Sequence, residues 1–288
     1  MGPIRKALPG GRLHFAHGPI ELVIGADGPA PSVAAAHEAA WVVFQSVLKG
    51  LVAELPALRQ PVVAGPCPLQ GPVARRMWAA CSGLPTDFIT PMAAVAGAVA
   101  QEILAAYETA GMTRAFVNNG GDIALLLTPG SRWRIGLVAD ITRCRPSLDG
   151  SLVVDSHDPV RGVATSGWRG RSHSLGIADS VTVLAATAAE ADAAATIVAN
   201  AVNPQQPDHE LGIERAPASS LSDDSDLGER AVTIHVPPLP PEITATALAH
   251  GVKMAQTLQR AGRIHAAVLA CQGQLLTIEP SDALPRAA

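Results

Sequence analysis

Five consecutive residues, Asn118-Asn119-Gly120-Gly121-Asp122, carry more potential chemistry for their length than any other stretch of this chain. Paired glycines let backbone N–H groups approach an anion without obstruction from a Cβ, and Asp122 follows at the start of an apolar run. The same residues also make a plain hairpin turn, for which Asn-Gly is a favoured pair. A second group, the twelve residues Gly162 to His173, holds Thr165, Ser166, Gly167, Arg169, Arg171 and His173. Hydroxyls, glycine amides and guanidinium forks suit a phosphate; a solvated arginine-rich loop is the other reading. Asp192 and Thr196, four residues apart, share one face of a helix and offer two oxygen groups to a hard cation such as Mg2+. A solvated helix face explains that spacing equally well. His173 can act as an acid or base only beside a partner that sequence does not place.

The elements around these residues follow from periodicity. Residues 13–25 predict an edge hairpin about Gly18-Pro19, and Ser32 is a candidate N-cap for an amphipathic helix running to about Leu55. A Pro-rich connection leads to a short helix at 72–81, a strand at Asp87 to Thr90, and an Ala/Val-rich helix at 92–110 that Gly111 stops. Two apolar runs, Arg114 to Val117 and Asp122 to Leu127, flank the glycine turn as strands. Further strands are expected at 133–138, 151–154, 162–165 and 180–185, then a helix at 187–202 capped by Thr187 with Glu190 at its third position. Residues 203–230, rich in Pro, Gln, Ser and Asp, predict an exposed excursion. A strand at 231–236, a helix at 244–261 and a hairpin turning at Gln272-Gly273 complete the chain. This is an α/β (α+β) pattern with a large mixed sheet against helices. No linker separates two cores, so a single domain over 1–288 is expected.

Composition narrows the partners. Hydrophobic residues make up 48% of the chain and aromatics 3%, so a flat ring would rest mainly on aliphatic walls and backbone. A formal charge of −4 supplies no basic field for nucleic acid. Acidic residues interrupt both alanine-rich runs, so no membrane span is expected. The start lacks the apolar stretch of a signal peptide, and a cytoplasmic location follows as the expectation. The four cysteines lack metal spacing and read as reduced thiols.

In this order, Phe116 to Ile123, Val163 to Gly167, Ser180 to Leu184 and Ala191 to Thr196 resemble the ApbE-like superfamily, whose best-known members are FAD:protein FMN transferases. The match is clearest over about residues 85–203 and looks like a cytoplasmic branch of that superfamily. The resemblance implies an α/β fold binding FAD or FMN. Asn118, Asn119, Gly120, Gly121, Asp122, Thr165, Ser166, Gly167, Arg169 and Arg171 would bind the cofactor, and Asp192 and Thr196 would hold Mg2+. A transferase would pass FMN to a protein threonine and release AMP. This chain departs from the transferases after Gly167: their extended His-His-x-x-Asp-Pro-x-Thr-Gly segment is replaced by Ser172-His-Ser-Leu-Gly-Ile-Ala-Asp179. Their Lys before Gly is replaced by Val95-Ala96-Gly97. His173 and Asp179 are the candidates left for base and acid. The expectation is a flavin-binding protein with Mg-dependent nucleotide transfer in question. A non-catalytic flavin-binding accessory protein, or an enzyme acting on another phosphorylated ligand, are the alternatives. A protein or small-molecule acceptor and an oligomeric assembly are left open.

Overall fold

The computed structural model describes residues 2–109, 111–137, 150–170 and 172–280. In chain order its elements are β1 (Ile4–Ala7), β2 (Leu13–His17), β3 (Ile20–Asp27), α1 (Ala30–Ala53), α2 (Leu55–Leu58), α3 (Pro72–Cys81), α4 (Val95–Leu104), β4 (Arg114–Asn119), β5 (Asp122–Leu127), β6 (Arg132–Leu137) and β7 (Gly150–Asp155). They continue with β8 (Gly162–Ser166), β9 (Ser180–Ala185), α5 (Ala188–Ala201), α6 (Asp208–Leu211), β10 (Glu214–Pro217), α7 (Ala218–Leu221), β11 (Ala231–His235), α8 (Pro241–Arg260), β12 (Ala266–Cys271) and β13 (Gln274–Ile278). The α/β expectation holds. The described residues form two compact units, one drawn from 2–109, 111–135, 153–164 and 185–193, the other from 136–137, 150–152, 165–170, 172–184 and 194–280. No helix among the described residues is long and apolar enough to cross a membrane.

In the first unit the strands follow the order β1-β2-β3-β4-β5-β8, with antiparallel pairings throughout this series. Period-two alternation sets which side chains face inward: Leu13 and Phe15 on β2, Ile20, Leu22 and Ile24 on β3, and Ala115, Val117 and Asn119 on β4. The polar Asn119 thus occupies a core-facing position. The hairpin predicted at 13–25 is present, with Gly18 at φ +57, but β1 lies outside it and takes the edge. Helix α1 buries Ala36, Ala40, Phe44, Val47 and Leu51 at helical spacing. It begins at Ala30, behind Pro29 and with Pro31 in its first turn, and not at a Ser32 cap, because Pro is well suited to a first turn.

Two other expectations change here. Residues 87–90 are not a strand: Thr90 caps a 3-10 turn, Pro91–Ala94, its Oγ1 accepting the Met92 N–H at 3.2 Å. Side-chain capping by threonine competes with strand formation. The helix expected at 92–110 is divided into that turn, α4 and a second 3-10 turn at Ala105–Tyr107.

A buried polar pair locks α1 to this second turn. His37 Nδ1 lies 2.7 Å from the Tyr107 hydroxyl, and the rings meet edge-on at 5.5 Å. Burial, and then the nearby Arg5 guanidinium, lower the His37 pKa, with Glu38 opposing. Burial raises that of Tyr107, so a neutral phenol and a neutral imidazole share the hydrogen bond, its direction set by the imidazole tautomer. Because the folded imidazole resists a proton that the unfolded chain accepts, stability is present above the unfolded value of about 6.5 and is lost as pH falls below it. The melting temperature is expected to fall more steeply below pH ~6.5 in the wild type than in His37→Gln. Parallel profiles would remove His37 as the cause.

The second unit carries the antiparallel series β9-β12-β13 and a separate β10-β11 pair. All six residues of β9 are buried, the polar Ser180 and Thr182 included. Gln272 and Gly273 join β12 to β13 at φ +45 and +82, the two-residue turn expected there. Residues 203–230 differ from the expected irregular excursion. They contain α6, β10 and α7, with Ile213 and Ala218 buried. Arg215 organises them: its Nε donates to Asp208 Oδ2 at 2.8 Å and its Nη2 to Asn203 Oδ1 at 2.8 Å, while Nη1 serves Leu175 O and Thr233 Oγ1. Order here comes from a guanidinium hub, for which apolar periodicity gives no signal.

Candidate functional site

In the first unit the glycine turn is a two-residue hairpin loop. Gly120 and Gly121 adopt φ +67 and +119, and Asn119 and Asp122 face each other across the last pairing of β4 and β5. Positive φ at both loop positions is the geometry that glycine tolerates and other residues resist. The Gly121 N–H donates to Asn118 Oδ1 at 2.8 Å, so that amide is already satisfied within the turn. A Cβ on Gly121 would meet nothing within 4 Å, which leaves open space on that side.

Behind the turn stands the start of α4. Its cap residue Ala94 offers no side-chain acceptor, so the first amides need a partner from elsewhere. Asp192 of α5 supplies it: Oδ2 accepts the Gly97 N–H at 2.9 Å, and the Ala96 amide also stabilises the carboxylate. Burial, followed by the neighbouring Asp122 carboxylate, nevertheless pushes the Asp192 pKa well above the ordinary range. Two carboxylates that raise one another's cost of ionisation form a natural place for a cation. Among the described residues no group of three or more His, Cys, Asp and Glu could hold a metal. One or two carboxylates together with phosphate and water are a ligand set that Mg2+ commonly takes. Thr196 lies one turn along α5 from Asp192.

Two glycines bring α4 and β8 close to the start of α5. A Cβ on Gly97 would lie 2.2 Å from Ala188 O, and one on Gly162 would lie 2.2 Å from both C and O of Thr187. A lone glycine in an alanine-rich helix costs about 1 kcal/mol, so Gly97 already asks for a packing reason. Thr187 caps α5 as expected: its Oγ1 accepts the Glu190 N–H at 3.3 Å and donates to Glu190 Oε2 at 2.9 Å.

In the second unit the other candidates are largely engaged with one another. Arg169 Nε donates to Asp179 Oδ1 at 2.8 Å, with its guanidinium 4.5 Å from the Trp168 ring centroid. Asp179 Oδ2 accepts the Gln272 N–H. The residue proposed as a phosphate contact and the one proposed as an acid thus hold each other, and Asp179 anchors the β12–β13 turn. Burial, then Asp179, push the nearby Cys271 thiol up to about 12, so it stays protonated. Thr165 Oγ1 lies 2.9 Å from Thr182 Oγ1. Gly167 has an internal reason to be glycine, since a Cβ there would lie 2.4 Å from Asp179 O. Ser166 ends β8, and His173 is half-buried in the connection that follows. Arg171 lies outside the described residues.

The α/β fold thus places the Asp192 carboxylate at the start of α4, behind the Gly-Gly-Asp turn. Residues 5–277 match the family described as "AbpE bacteria", and the chain belongs to that ApbE-like family. A UPF0280 protein of Methanosarcina acetivorans is 35% identical over 202 residues, spanning 69% of this chain and 75% of that protein. A UPF0280 protein of Methanothermobacter thermautotrophicus is 38% identical over 160 residues, 54% of this chain and 57% of its own length. Among solved structures, the apo flavinyl transferase ApbE of Pseudomonas stutzeri aligns over 96% of this chain and 93% of its own. The identity is 16% and the TM-score 0.45.

Proposed function

We propose that the protein binds a flavin nucleotide, FAD or FMN, together with Mg2+. Asp122 and Asp192 are the cation's carboxylate ligands in this reading, and Thr196 is separately proposed as a metal contact, testable by its own substitution. The observation that carries it is the Asp192 carboxylate held on the Gly97 amide at the start of α4, where Asn119, the register partner of Asp122, also bonds Ala96 O, next to the open side of Gly121. Membership of the ApbE-like family and the order of the motifs support it. When bound, Mg2+ would supply charge neutralisation for a diphosphate. This chain's residues do the rest: Asn118 closes the turn through the Gly121 N–H and leaves open space beside Gly121, and the α4 amides fix the Asp192 carboxylate. Thr165, Ser166 and Arg169 are separately proposed as nucleotide contacts, each testable by its own substitution.

Binding is favoured over FMN transfer by one observation. Asp179 is already committed to Arg169 and to the Gln272 amide, which makes it a poor acid for His173 to work with. Calorimetric titration of the full chain with FAD, FMN and AMP, with and without Mg2+, separates the readings. Heat for FAD or FMN that grows with Mg2+ is expected; none under either condition removes the proposal. Release of AMP from FAD on adding a threonine-bearing acceptor peptide would return transfer to first place.

A further inference from the structure

Asn119 stands at a core-facing position of β4, in the row of Ala115 and Val117, and is only 7% exposed. A carboxamide in such a row costs stability unless it is hydrogen-bonded. Its Nδ2 donates to Ala96 O at 3.1 Å. That carbonyl belongs to the Ala96–Gly97 peptide group, whose N–H donates to Asp192 Oδ2 at 2.9 Å. A peptide group is planar, so holding its oxygen also sets the direction of its N–H. Gly97 has little room to shift, because the place of a Cβ is filled by Ala188 O at 2.2 Å. Asn119 is also the register partner of Asp122. One residue therefore connects the strand pair carrying Asp122 to the peptide gripping Asp192.

We propose that Asn119 is a positioning residue: it sets the separation of Asp122 and Asp192 through the Ala96–Gly97 peptide and makes no contact with the ligand itself. This goes beyond a turn in which every residue touches the nucleotide, and it rests on the cation reading above. Asn119 differs in this from Asn118, whose side chain closes the turn on itself.

The test uses Asn119→Ala in the full chain, with Asn119→Ser as a second variant that keeps a donor on a shorter arm. Two quantities are read: exchange of the Gly97 amide by NMR in metal-free protein, and affinity for Mn2+ alone by electron paramagnetic resonance. Loss of an outer-shell partner typically weakens metal binding about 10- to 100-fold, and a loss in that range is expected for Asn119→Ala. Gly97 exchange is expected to quicken about tenfold or more, with Asn119→Ser intermediate; if the alanine variant does not fold, the serine variant alone should move the same way. Wild-type values of both quantities in the folded variants would overturn the proposal. Weakened FAD binding with unchanged Mn2+ affinity and Gly97 exchange would make Asn119 a ligand contact instead. A wild type that binds no Mn2+ would defeat the cation reading, while the Gly97 exchange rate still judges the hold of Asn119 on the peptide.

Discussion

Replacing Asp192 with asparagine is expected to abolish the Mg2+-dependent part of FAD binding while leaving the protein folded. The carboxamide oxygen can still accept the Gly97 N–H, so α4 keeps its partner, but the charge that a divalent cation needs is gone. The two states of the protein should then respond in opposite ways. In metal-free protein, burial and Asp122 hold the Asp192 pKa above its unfolded value of about 3.9. The folded state therefore binds the proton more tightly than the unfolded chain does. The stability linked to Asp192 is fully present below the unfolded value and is lost as pH rises through the raised folded one. At neutral pH the variant should be no less stable than the wild type without metal. With Mg2+ at about 100 times its dissociation constant the wild type should gain about 2.7 kcal/mol, and the variant almost nothing. Thermal melts with and without Mg2+ measure both halves, and an equal Mg2+ response in the two proteins would remove Asp192 as a ligand. Asp122→Asn should show the same loss, because it removes the other carboxylate of the pair.

What could be read from the sequence was what is encoded locally. The turns at Gly18, Gly120-Gly121 and Gln272-Gly273 were predictable because each places turn residues between apolar runs, and Thr187 with Glu190 marked the start of α5. The pairing of Asp192 with Asp122 was not, since seventy positions of chain separate them and only the fold brings them together. Spacing along one helix suggested Thr196 as the companion of Asp192, but it could not show the α4 amides that also hold that carboxylate. Arg169 and Asp179 looked like separate functional groups because nothing in their spacing reveals an ion pair. Strand β1 escaped notice because at the edge its one half-buried side chain is the charged Arg5, paired with Glu38, while Ile4 is 37% exposed, which erases apolar alternation. In 203–230 a single arginine replaces the apolar stripe that would have announced the structure.

Gly162→Ala is expected to cost more stability than any substitution in the candidate site. A Cβ at this position would meet the carbonyl carbon and oxygen of Thr187 at 2.2 Å and the Ala188 nitrogen at 2.3 Å, all backbone atoms that no rotamer change can move aside. The strand is tied on both sides of the clash: Gly162 pairs with Ala124, and the Arg161 N–H donates to Ala185 O at 3.1 Å. Relief would require β8 or the start of α5 to shift, carrying with it the helix that bears Asp192. Overpacking of this kind costs roughly 1–3 kcal/mol and sometimes more, and rigid backbone on every side argues for the upper end. At about 2–4 °C per kcal/mol for a chain of this size, the melting temperature should fall by on the order of 6–12 °C. Gly121→Ala is the informative comparison, since its cost is conformational only: φ is +119 and nothing lies within 4 Å of the added atom. If Gly162→Ala melts no lower than Gly121→Ala, the close approach of β8 to the start of α5 is not what fixes the carboxylate site in place.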